Sequence, residues 1–332
     1  MVIITGSTSF IGRNVPPLLL KHFKKSEILS LCWNKDEEVG VKNRKKLERA
    51  GFPIKFVDLV TKDGLKNIPR SPEIIIHMAA NTDTSSSDHK VNDFGTKNLI
   101  KSLGKLGPKT HIIYTSTTTF LGGRKNCSQP LDETSKEFPT NEYGRSKLRA
   151  EKYLISECKK RKFRLTILRL NTVYGPDSRP KSMFKILPEQ IRRGSLFTRL
   201  NWPGKTSIVH VDDVTQAIIY FCKNKIPKPG VSQIFILTGE SLTMADISKI
   251  MHREMEIKYM PINLPSVFWQ TAKFGRKFIP NLESILPHFL YNPFWRASLI
   301  IDNALWFETQ NIGNVMPTWK PKLLQQTVNK LV

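Results

Sequence analysis

The sequence predicts an α/β protein with a doubly wound parallel sheet and a smaller second lobe, and three observations predict it. The chain opens on a short apolar run, Val2-Ile3-Ile4, that leads directly into a glycine-bearing turn. Short β-branched runs then alternate with polar, helix-length segments through the first half, as parallel strands joined by crossover helices require. With 332 residues, the chain is long enough to bury a large core.

The alternating pattern places the individual elements. We expect strands over 2–5, 28–33, 55–58, 74–77, 111–116 and 166–170, and helices over 97–106 and 143–160. Pro16 and Pro17 fall where the first crossover helix should lie, so we expect a kink or an early end there.

The alternation loosens after Gly175, where proline and aromatic content rises. A strand over 208–213 and a helix over 214–222 then resemble a return to the first lobe. We therefore expect a first domain over 1–175, rejoined by 208–224, and an interleaved C-terminal lobe over 176–207 and 225–332 that binds substrate.

The composition narrows the class of protein. Four scattered cysteines without a C-x-x-C pair favour a reduced protein without a structural metal, and nothing resembles a signal peptide, so we expect a cytoplasmic location. The formal net charge of +24 suits nucleic acid, an anionic membrane surface or an anionic substrate. The basic residues are spread along the chain without a basic, aromatic-studded module, which disfavours nucleic acid. We favour a solvated basic surface of no specific function over peripheral membrane contact.

An aromatic segment over 264–307 interleaves tryptophan and phenylalanine with basic residues. Packing within the smaller lobe is the simplest interpretation. A peripheral membrane-contact surface and a partner or dimer face are the alternatives.

The opening turn is typical of a dinucleotide-binding βαβ unit. Gly6 allows a sharp turn, and the small residues after it let a pyrophosphate approach the backbone and the following helix N-terminus. Ser9 replaces the usual middle glycine, so an ordinary strand–turn–helix is the alternative.

Tyr143 and Lys147 form a Y-x-x-x-K pair, one turn apart on one helix face. A phenol with a pKa of about 10 is a poor base at neutral pH, and a neighbouring ammonium favours the phenolate. A hydroxyl at the end of the 111–116 strand could donate to a substrate oxygen while Tyr143 moves the proton. We favour Thr117 for this donor, followed by Ser116.

Further motifs follow these two in order along the chain. They are Asp58-Leu59, His77-Met78-Ala79-Ala80, Asn92-x-x-Gly95-Thr96-x-Asn98-Leu99, Arg169-x-Asn171-x-Val173-Tyr174-Gly175-Pro176 and Val209-His210-Val211-Asp212-Asp213-Val214. The ordered set resembles the extended short-chain dehydrogenases/reductases, in the branch of NAD(P)-dependent nucleotide-sugar epimerases, dehydratases and reductases. The resemblance covers essentially the full length and implies a Rossmann-type first domain.

The resemblance implies a role for each matching position. Tyr143 would be the acid/base, Lys147 would bind the nicotinamide ribose, and Thr117 would orient the substrate oxygen. Asn98 would be structural or hold a water, Asn171 would lie near the nicotinamide or the substrate, and His210 and Asp212 would be structural. The residues lining the cofactor would be Gly6, Ser9 and Gly12 at the pyrophosphate, Phe10 and Ile11 at the helix start, Asp58 and Leu59 at the adenine, and Ala79 and Ala80 at the ribose and diphosphate.

Departures from the family pattern refine the expectation. The strand ending near Cys32-Trp33 lacks the acidic residue that binds the ribose of NAD, whereas Arg13, Lys35 and Arg44 could meet a 2′-phosphate, so between NAD and NADP we favour NADP. The residues after Thr117 lack the acidic pair of 4,6-dehydratases, which disfavours dehydration. The segment 203–208 lacks the arginine that grips the diphosphate, and Lys205 or Arg199 could substitute for it.

We therefore predict an enzyme, an NAD(P)-dependent epimerase or keto-reductase of a nucleotide-activated sugar. The alternatives are an NADP-dependent reductase of an apolar carbonyl substrate and a catalytically silent cofactor-binding scaffold. The resemblance also implies a homodimer built on two helices of the first domain.

Overall fold

The computed structural model describes residues 1–35, 37–224, 226–308 and 311–332. The strands are β1 (Val2–Thr5), β2 (Ile28–Cys32), β3 (Ile54–Phe56), β4 (Ile74–His77), β5 (His111–Thr117), β6 (Arg164–Leu170), β7 (Thr172–Tyr174), β8 (Lys205–His210), β9 (Ser232–Leu237) and β10 (Glu240–Thr243). The α-helices are α1 (Val15–Leu19), α2 (Glu38–Arg49), α3 (Thr96–Ser102), α4 (Glu142–Arg161), α5 (Met183–Arg192), α6 (Val211–Lys223), α7 (Met244–Glu254), α8 (Ser266–Arg276), α9 (His288–Ile301), α10 (Asn311–Val315) and α11 (Leu324–Thr327).

The larger sheet has the strand order β3-β2-β1-β4-β5-β6-β9. The pairs β1–β2, β2–β3, β1–β4 and β4–β5 are parallel. Every residue of β1, β2, β4 and β5 is buried, as expected for strands covered on both faces. The strand order reverses between β1 and β4, which is the switch point of a doubly wound fold. The predicted fold class is confirmed.

The predicted element bounds agree closely with the structure where apolar runs are short and sharply bounded. The strands at 2–5 and 74–77 agree residue for residue, and the other four differ by at most two residues at either end. The 97–106 helix is shorter than predicted because α3 ends at Ser102, just before Gly104 adopts a left-handed φ of +66°. The predicted 208–213 strand ends at His210, since Asp212 and Asp213 form the first turn of α6.

The two consecutive prolines lie in the first turn of α1, where the missing N–H groups have no helical partner to lose. Residues Gly12–Asn14 form a separate 3₁₀ turn before it, and α1 ends after only five residues. The expected early end of the first crossover helix is confirmed.

The chain divides into two compact units, each made of three segments. Unit 1 comprises 1–117, 142–169 and 214–235, and unit 2 comprises 118–141, 170–213 and 236–332. The segment 118–141, which the sequence placed in the first domain, belongs to unit 2. The assignment of substrate binding to the C-terminal lobe stays a prediction.

Unit 2 contains a three-stranded sheet in the order β10-β8-β7, in which β8 is antiparallel to β10 and parallel to β7. Its apolar core joins this sheet to α5, α7 and the C-terminal residues. The core residues include Tyr174, Phe184, Ile191, Ile208, Ile247, Met251, Leu324 and Val328.

Among the described residues we looked for membrane-spanning helices and for clusters of metal-binding side chains. No helix among them combines the length and the apolar character that crossing a membrane requires. Nor do they contain a group of three His, Cys, Asp or Glu side chains placed to hold a metal ion.

Candidate cofactor and catalytic site

The turn after β1 requires glycine at both ends. Gly6 has a φ of +72°, and a Cβ there would lie 2.7 Å from the backbone nitrogen of Ala79. A Cβ on Gly12 would overlap the carbonyl oxygen of Gly6. The backbones of these three residues therefore approach too closely for any side chain to lie between them.

Ser9 closes the same turn from within. Its backbone N–H donates to the Gly6 carbonyl over 3.1 Å, and its hydroxyl accepts the N–H of Gly12 over 3.1 Å. The serine thus occupies one of the donors that the predicted pyrophosphate would use. Phe10 and Ile11, expected to begin the helix, lie in the turn instead, because the prolines delay the α-helix to Val15.

Thr5, at the end of β1, holds the end of β4 beside this turn. Its hydroxyl oxygen accepts the N–H groups of Met78 and Ala79, over 3.2 and 3.1 Å. Ala79 and Ala80 are small and partly exposed at the carboxyl end of β4. Closely approaching backbone, two required glycines and two alanines at a switch point are the features that let the pyrophosphate of a dinucleotide approach the chain.

Asp58 and Leu59, predicted at the adenine, form a loop after β3. The Asp58 carboxylate accepts the N–H groups of Val60 and Thr61 and, over 3.1 Å, the indole N–H of Trp33. Partial burial opposes ionisation, but these donors keep the pKa of Asp58 below its usual value. The Leu59 carbonyl accepts the Asn98 amide over 2.8 Å, in line with the expected structural role of Asn98.

The three cations expected near a 2′-phosphate have different surroundings. The Arg13 guanidinium lies 5.5 Å from the Phe10 ring centroid, and the exposed Lys35 is close enough to influence Asp58 electrostatically. Arg44 stacks on Phe56 and pairs with Glu48 at 3.6 Å. Arg44 is therefore held by partners of its own.

Tyr143 and Lys147 lie in the first two turns of α4, with 9% and 2% of their surfaces exposed. The Lys147 ammonium donates to the Thr115 carbonyl over 2.7 Å and lies 4.1 Å from the Tyr114 ring centroid. Burial lowers the pKa of Lys147 to about 7, although the nearby Glu151 acts in the opposite direction. The lysine is therefore held at the carboxyl end of β5, beside β4 in the sheet.

The hydroxyl groups at the end of β5 have different neighbours. Ser116 donates to the Glu151 carboxylate over 2.7 Å in the buried interior. Thr118 donates to the side-chain oxygen of Asn171 over 2.8 Å. Thr117, 5% exposed, follows Ser116 on the opposite face of the strand. Ser116 is therefore engaged with Glu151, and the substrate-facing role of Thr117 stays a prediction.

A buried ion pair supports α4 one turn beyond Lys147, and the sequence analysis missed it. The Arg169 guanidinium donates twice to one oxygen of Glu151, over 3.0 and 2.5 Å, and Ser116 donates to the other. Arg169 and Glu151 are 3% and 1% exposed. The four-residue spacing from Lys147 to Glu151 was the available signal, since it places both side chains on the face that packs against β5 and β6.

His89 was also missed, because a lone histidine carries no pattern. Its ring centroid lies 5.7 Å from that of Tyr143, and its Nδ1 lies 3.1 Å from the Asn81 carbonyl. It lines a unit 1 cavity of about 450 Å³ together with Asp88, Asp93, Glu142 and Arg149, among others.

The three residues predicted to contact substrate lie in unit 2, and the structure does not group them around one cavity. Asn171 donates to Thr238 and Leu237, and Arg199 donates to the Met260 carbonyl over 2.8 Å. Lys205 lies 4.8 Å from the Trp306 ring centroid and lines an open groove of about 740 Å³. Neither Asn171 nor Arg199 lines this groove.

A family model of the NAD dependent epimerase/dehydratase family matches residues 2–234, which include the turn, the β4 end, the Tyr143–Lys147 pair and Asn171. The chain belongs to this family. The recognition from sequence motifs is confirmed, and so is the prediction of an enzyme of the extended short-chain dehydrogenase type.

Individual members of the family show how far the similarity extends. The chain is 28% identical over 204 residues to a mouse dTDP-D-glucose 4,6-dehydratase, covering 57% of this chain and 54% of the dehydratase. It thus spans about half the length of that relative. It is 26% identical over 292 residues to a UDP-glucose 4-epimerase of Vibrio cholerae, covering 83% and 82% of the two chains.

A solved structure supports the family fold over the whole chain. The Bacillus cereus UDP-glucuronic acid 4-epimerase, in complex with UDP-glucuronic acid and NAD, superimposes with a TM-score of 0.74. The match covers 99% of this chain and 97% of the epimerase at 18% identity. At this identity, the likeness shows the shared fold.

Proposed function

We propose that the protein is an NAD(P)-dependent epimerase or keto-reductase of a nucleotide-activated sugar, with Tyr143 as the acid/base. The observation that carries the proposal is the bond from the Lys147 ammonium to the Thr115 carbonyl at the carboxyl end of β5. It places the Y-x-x-x-K helix at the same sheet edge as the Gly6 turn and the β4 end.

The dinucleotide would be held by the backbone of the Gly6–Gly12 turn, by Ala79 and Ala80, and by Lys147. When bound, the dinucleotide would supply hydride transfer to or from the substrate's carbinol carbon. The chain's own part is then to orient the substrate oxygen through Thr117 and to move its proton through the Tyr143 phenol. The buried Lys147, one turn along α4, favours the phenolate form of Tyr143 when it carries its charge.

The relatives favour a nucleotide sugar as the substrate. The Vibrio cholerae epimerase, named for UDP-glucose, matches this chain over 82% of its own length. The match to the 4,6-dehydratase covers only 54% of that protein, and Thr118 and Thr119 stand where a dehydratase would carry its acidic pair. We therefore favour epimerisation or keto reduction over dehydration.

A second candidate is an NADP-dependent reductase of an apolar carbonyl substrate. It is favoured by the missing arginine in 203–208 and by the contacts of its proposed substitutes, because Arg199 bonds to Met260 and Lys205 lies over Trp306. The preference for NADP, the homodimer and the cytoplasmic location stay predictions from the sequence.

Mass spectrometry of the nucleotide released on denaturation, together with titrations of NAD, NADPH and UDP-sugars, tests the proposal. Retained NAD and binding of a UDP-sugar would support an epimerase. Exchangeable NADPH together with UDP-sugar binding would support a sugar keto-reductase. Exchangeable NADPH without UDP-sugar binding would support the reductase of an apolar carbonyl substrate. A protein that binds neither dinucleotide would contradict the enzyme proposals and leave the scaffold interpretation.

A further inference from the structure

The segment formed by α8, the 3₁₀ helix Ile279–Ser284 and α9 is held to the rest of unit 2 by a buried arginine. The guanidinium of Arg276, at the end of α8, is 6% exposed and donates to the Arg124 carbonyl over 2.7 Å. It also lies 3.7 Å from the Asp302 carboxylate. The last turn of α8 is therefore fixed within unit 2, and the opposite face of the segment has a defined orientation.

The aromatic residues of α9 are sorted between its two faces in an unusual way. Tyr291 and Trp295 are buried, and both donate to Thr140, from the hydroxyl over 2.7 Å and from the indole over 2.8 Å. Phe289 and Phe294, which have no polar atom to satisfy, are 72% and 56% exposed. A helix facing water would place its phenylalanines inward, so this arrangement indicates that the exposed face of α9 meets an apolar environment.

The exposed apolar face continues along the whole segment. Phe274 and Phe278 form an edge-on pair with centroids 5.4 Å apart, and Val267 lies two turns before Phe274 on the same side of α8. We define the outer face by its exposed apolar side chains: Val267 68%, Phe268 51%, Phe274 62%, Phe278 52%, Ile285 73%, Phe289 72%, Leu290 44% and Phe294 56%.

The charge around the outer face is strongly unbalanced. Residues 258–300 contain five lysines and arginines and a single acidic residue, Glu283, and Arg276 is the one of the five that is buried, beside Asp302. Lys277 and Arg296 are exposed, and the Lys277 ammonium lies 5.8 Å from the Phe274 ring centroid. Cations beside exposed phenylalanine are the pattern of a surface that enters the boundary between lipid headgroups and acyl chains.

We propose that the outer face docks the protein onto the surface of an anionic lipid bilayer. The phenylalanines would enter the headgroup boundary, while Lys277 and Arg296 meet lipid phosphates. A second copy of the chain fits less well, because a two-fold contact would bring two basic rims together. The proposed contact is peripheral, because only the side chains of the outer face enter the headgroup boundary.

Co-sedimentation of the full chain with vesicles tests the proposal. The two compositions are phosphatidylcholine alone and phosphatidylcholine with about one third phosphatidylglycerol, at about 0.1 M salt. We expect binding to the anionic vesicles at least about tenfold tighter than to the neutral ones, and a marked loss at about 0.5 M salt.

Matched variants assign the binding to the outer face. Phe274→Ser with Phe289→Ser should weaken anionic-vesicle binding at least about tenfold by removing the inserting side chains. Leu196→Ser with Val39→Ser removes two side chains of similar exposure, 62% and 52%, elsewhere on the surface, and should change it less than about twofold. Lys277→Glu with Arg296→Glu should likewise weaken anionic-vesicle binding at least about tenfold, whereas Lys159→Glu with Lys160→Glu, at the exposed end of α4, should largely preserve it.

Equal sedimentation with both compositions would overturn the proposal, and so would unchanged binding of the Phe274→Ser/Phe289→Ser protein. Sedimentation velocity tests the alternative that a second copy of the chain binds the outer face. If the same double variant converts a dimer to a monomer and the wild type ignores vesicles, the outer face is a contact between copies of the chain.

Discussion

The hydroxyl of Thr5 donates to Nδ1 of His77 over 2.7 Å, and this bond determines the tautomer of a fully buried histidine. The Thr5 oxygen already accepts two backbone N–H groups, so its one proton is directed at the ring. Nε2 therefore carries the ring proton and donates over 2.8 Å to Thr96, whose hydroxyl donates to the Asn92 carbonyl. The chain of bonds ties β1 and β4 to α3, beside the Gly6–Gly12 turn.

This arrangement predicts a specific acid sensitivity. Burial, with a smaller effect of the Lys147 charge, lowers the pKa of His77 to about 3, and burial lowers that of His111 to about 4. The unfolded chain binds these protons first, so stability is retained above about pH 6.5 and lost as the pH falls toward 3. At pH 5, we expect His77 alone to reduce the free energy of unfolding by about 2 kcal/mol relative to pH 7.

Urea unfolding at pH 7 and pH 5 measures this loss. His77→Gln should lower stability at pH 7 and reduce the difference between the two pH values, whereas the exposed His22→Gln should leave that difference as it is. A wild-type protein equally stable at both values would contradict the assignment of a neutral, Nε2-protonated ring.

Removing the phenol of Tyr143 should abolish proton transfer without affecting the fold. For Tyr143→Phe, we expect kcat on the nucleotide sugar that binds to fall about 10²- to 10⁴-fold, with dinucleotide affinity retained. Tyr153→Phe, on the same helix and only partly buried, is the matched control and should keep near-normal kcat. Unchanged turnover in the Tyr143 variant would exclude this tyrosine as the acid/base.

Breaking the buried pair beneath α4 should cost far more stability than breaking a surface pair on the same helix. Glu151→Gln leaves the Arg169 charge buried without a carboxylate, and we expect a loss of about 3–5 kcal/mol in unfolding free energy. Glu157→Gln removes the 2.6 Å pair with Arg161, which is partly exposed, and should cost about 1 kcal/mol or less. Chemical denaturation of the wild type and the two variants measures both losses. Equal losses in unfolding free energy would show that the buried Glu151–Arg169 pair contributes no more than the surface pair.

A methyl group at Gly12 should disrupt the Gly6–Gly12 turn. Because its Cβ would overlap the Gly6 carbonyl, Gly12→Ala is expected to reduce dinucleotide affinity at least about tenfold and stability by about 1–3 kcal/mol. Gly107→Ala places a Cβ with no neighbour within 4 Å and should change neither quantity appreciably. Calorimetric titration with NAD and NADPH measures the affinity, and tight binding by Gly12→Ala would show that the dinucleotide does not use this turn.

The sequence was most informative where local physics decides the structure. Apolar runs bounded by glycine, proline or charge predicted β1 and β4 residue for residue. It was least informative where a contact joins distant segments. Nothing in the chain around Arg169 shows that its partner is Glu151, eighteen residues away on a helix, or that Arg44 of α2 stacks on Phe56 of β3.

Unit 1 cannot be complete until residue 235 of the 332 has been made, because its last segment ends there. The chain passes between the units five times, so no single truncation isolates either one. During synthesis, the edge of β6 stays unpaired until β9 has been made, and residues 170–213 of unit 2 are made in between. Long-range closure of this kind slows folding and leaves a strand edge unpaired for longer, so we expect nascent chains of this protein to be prone to aggregation.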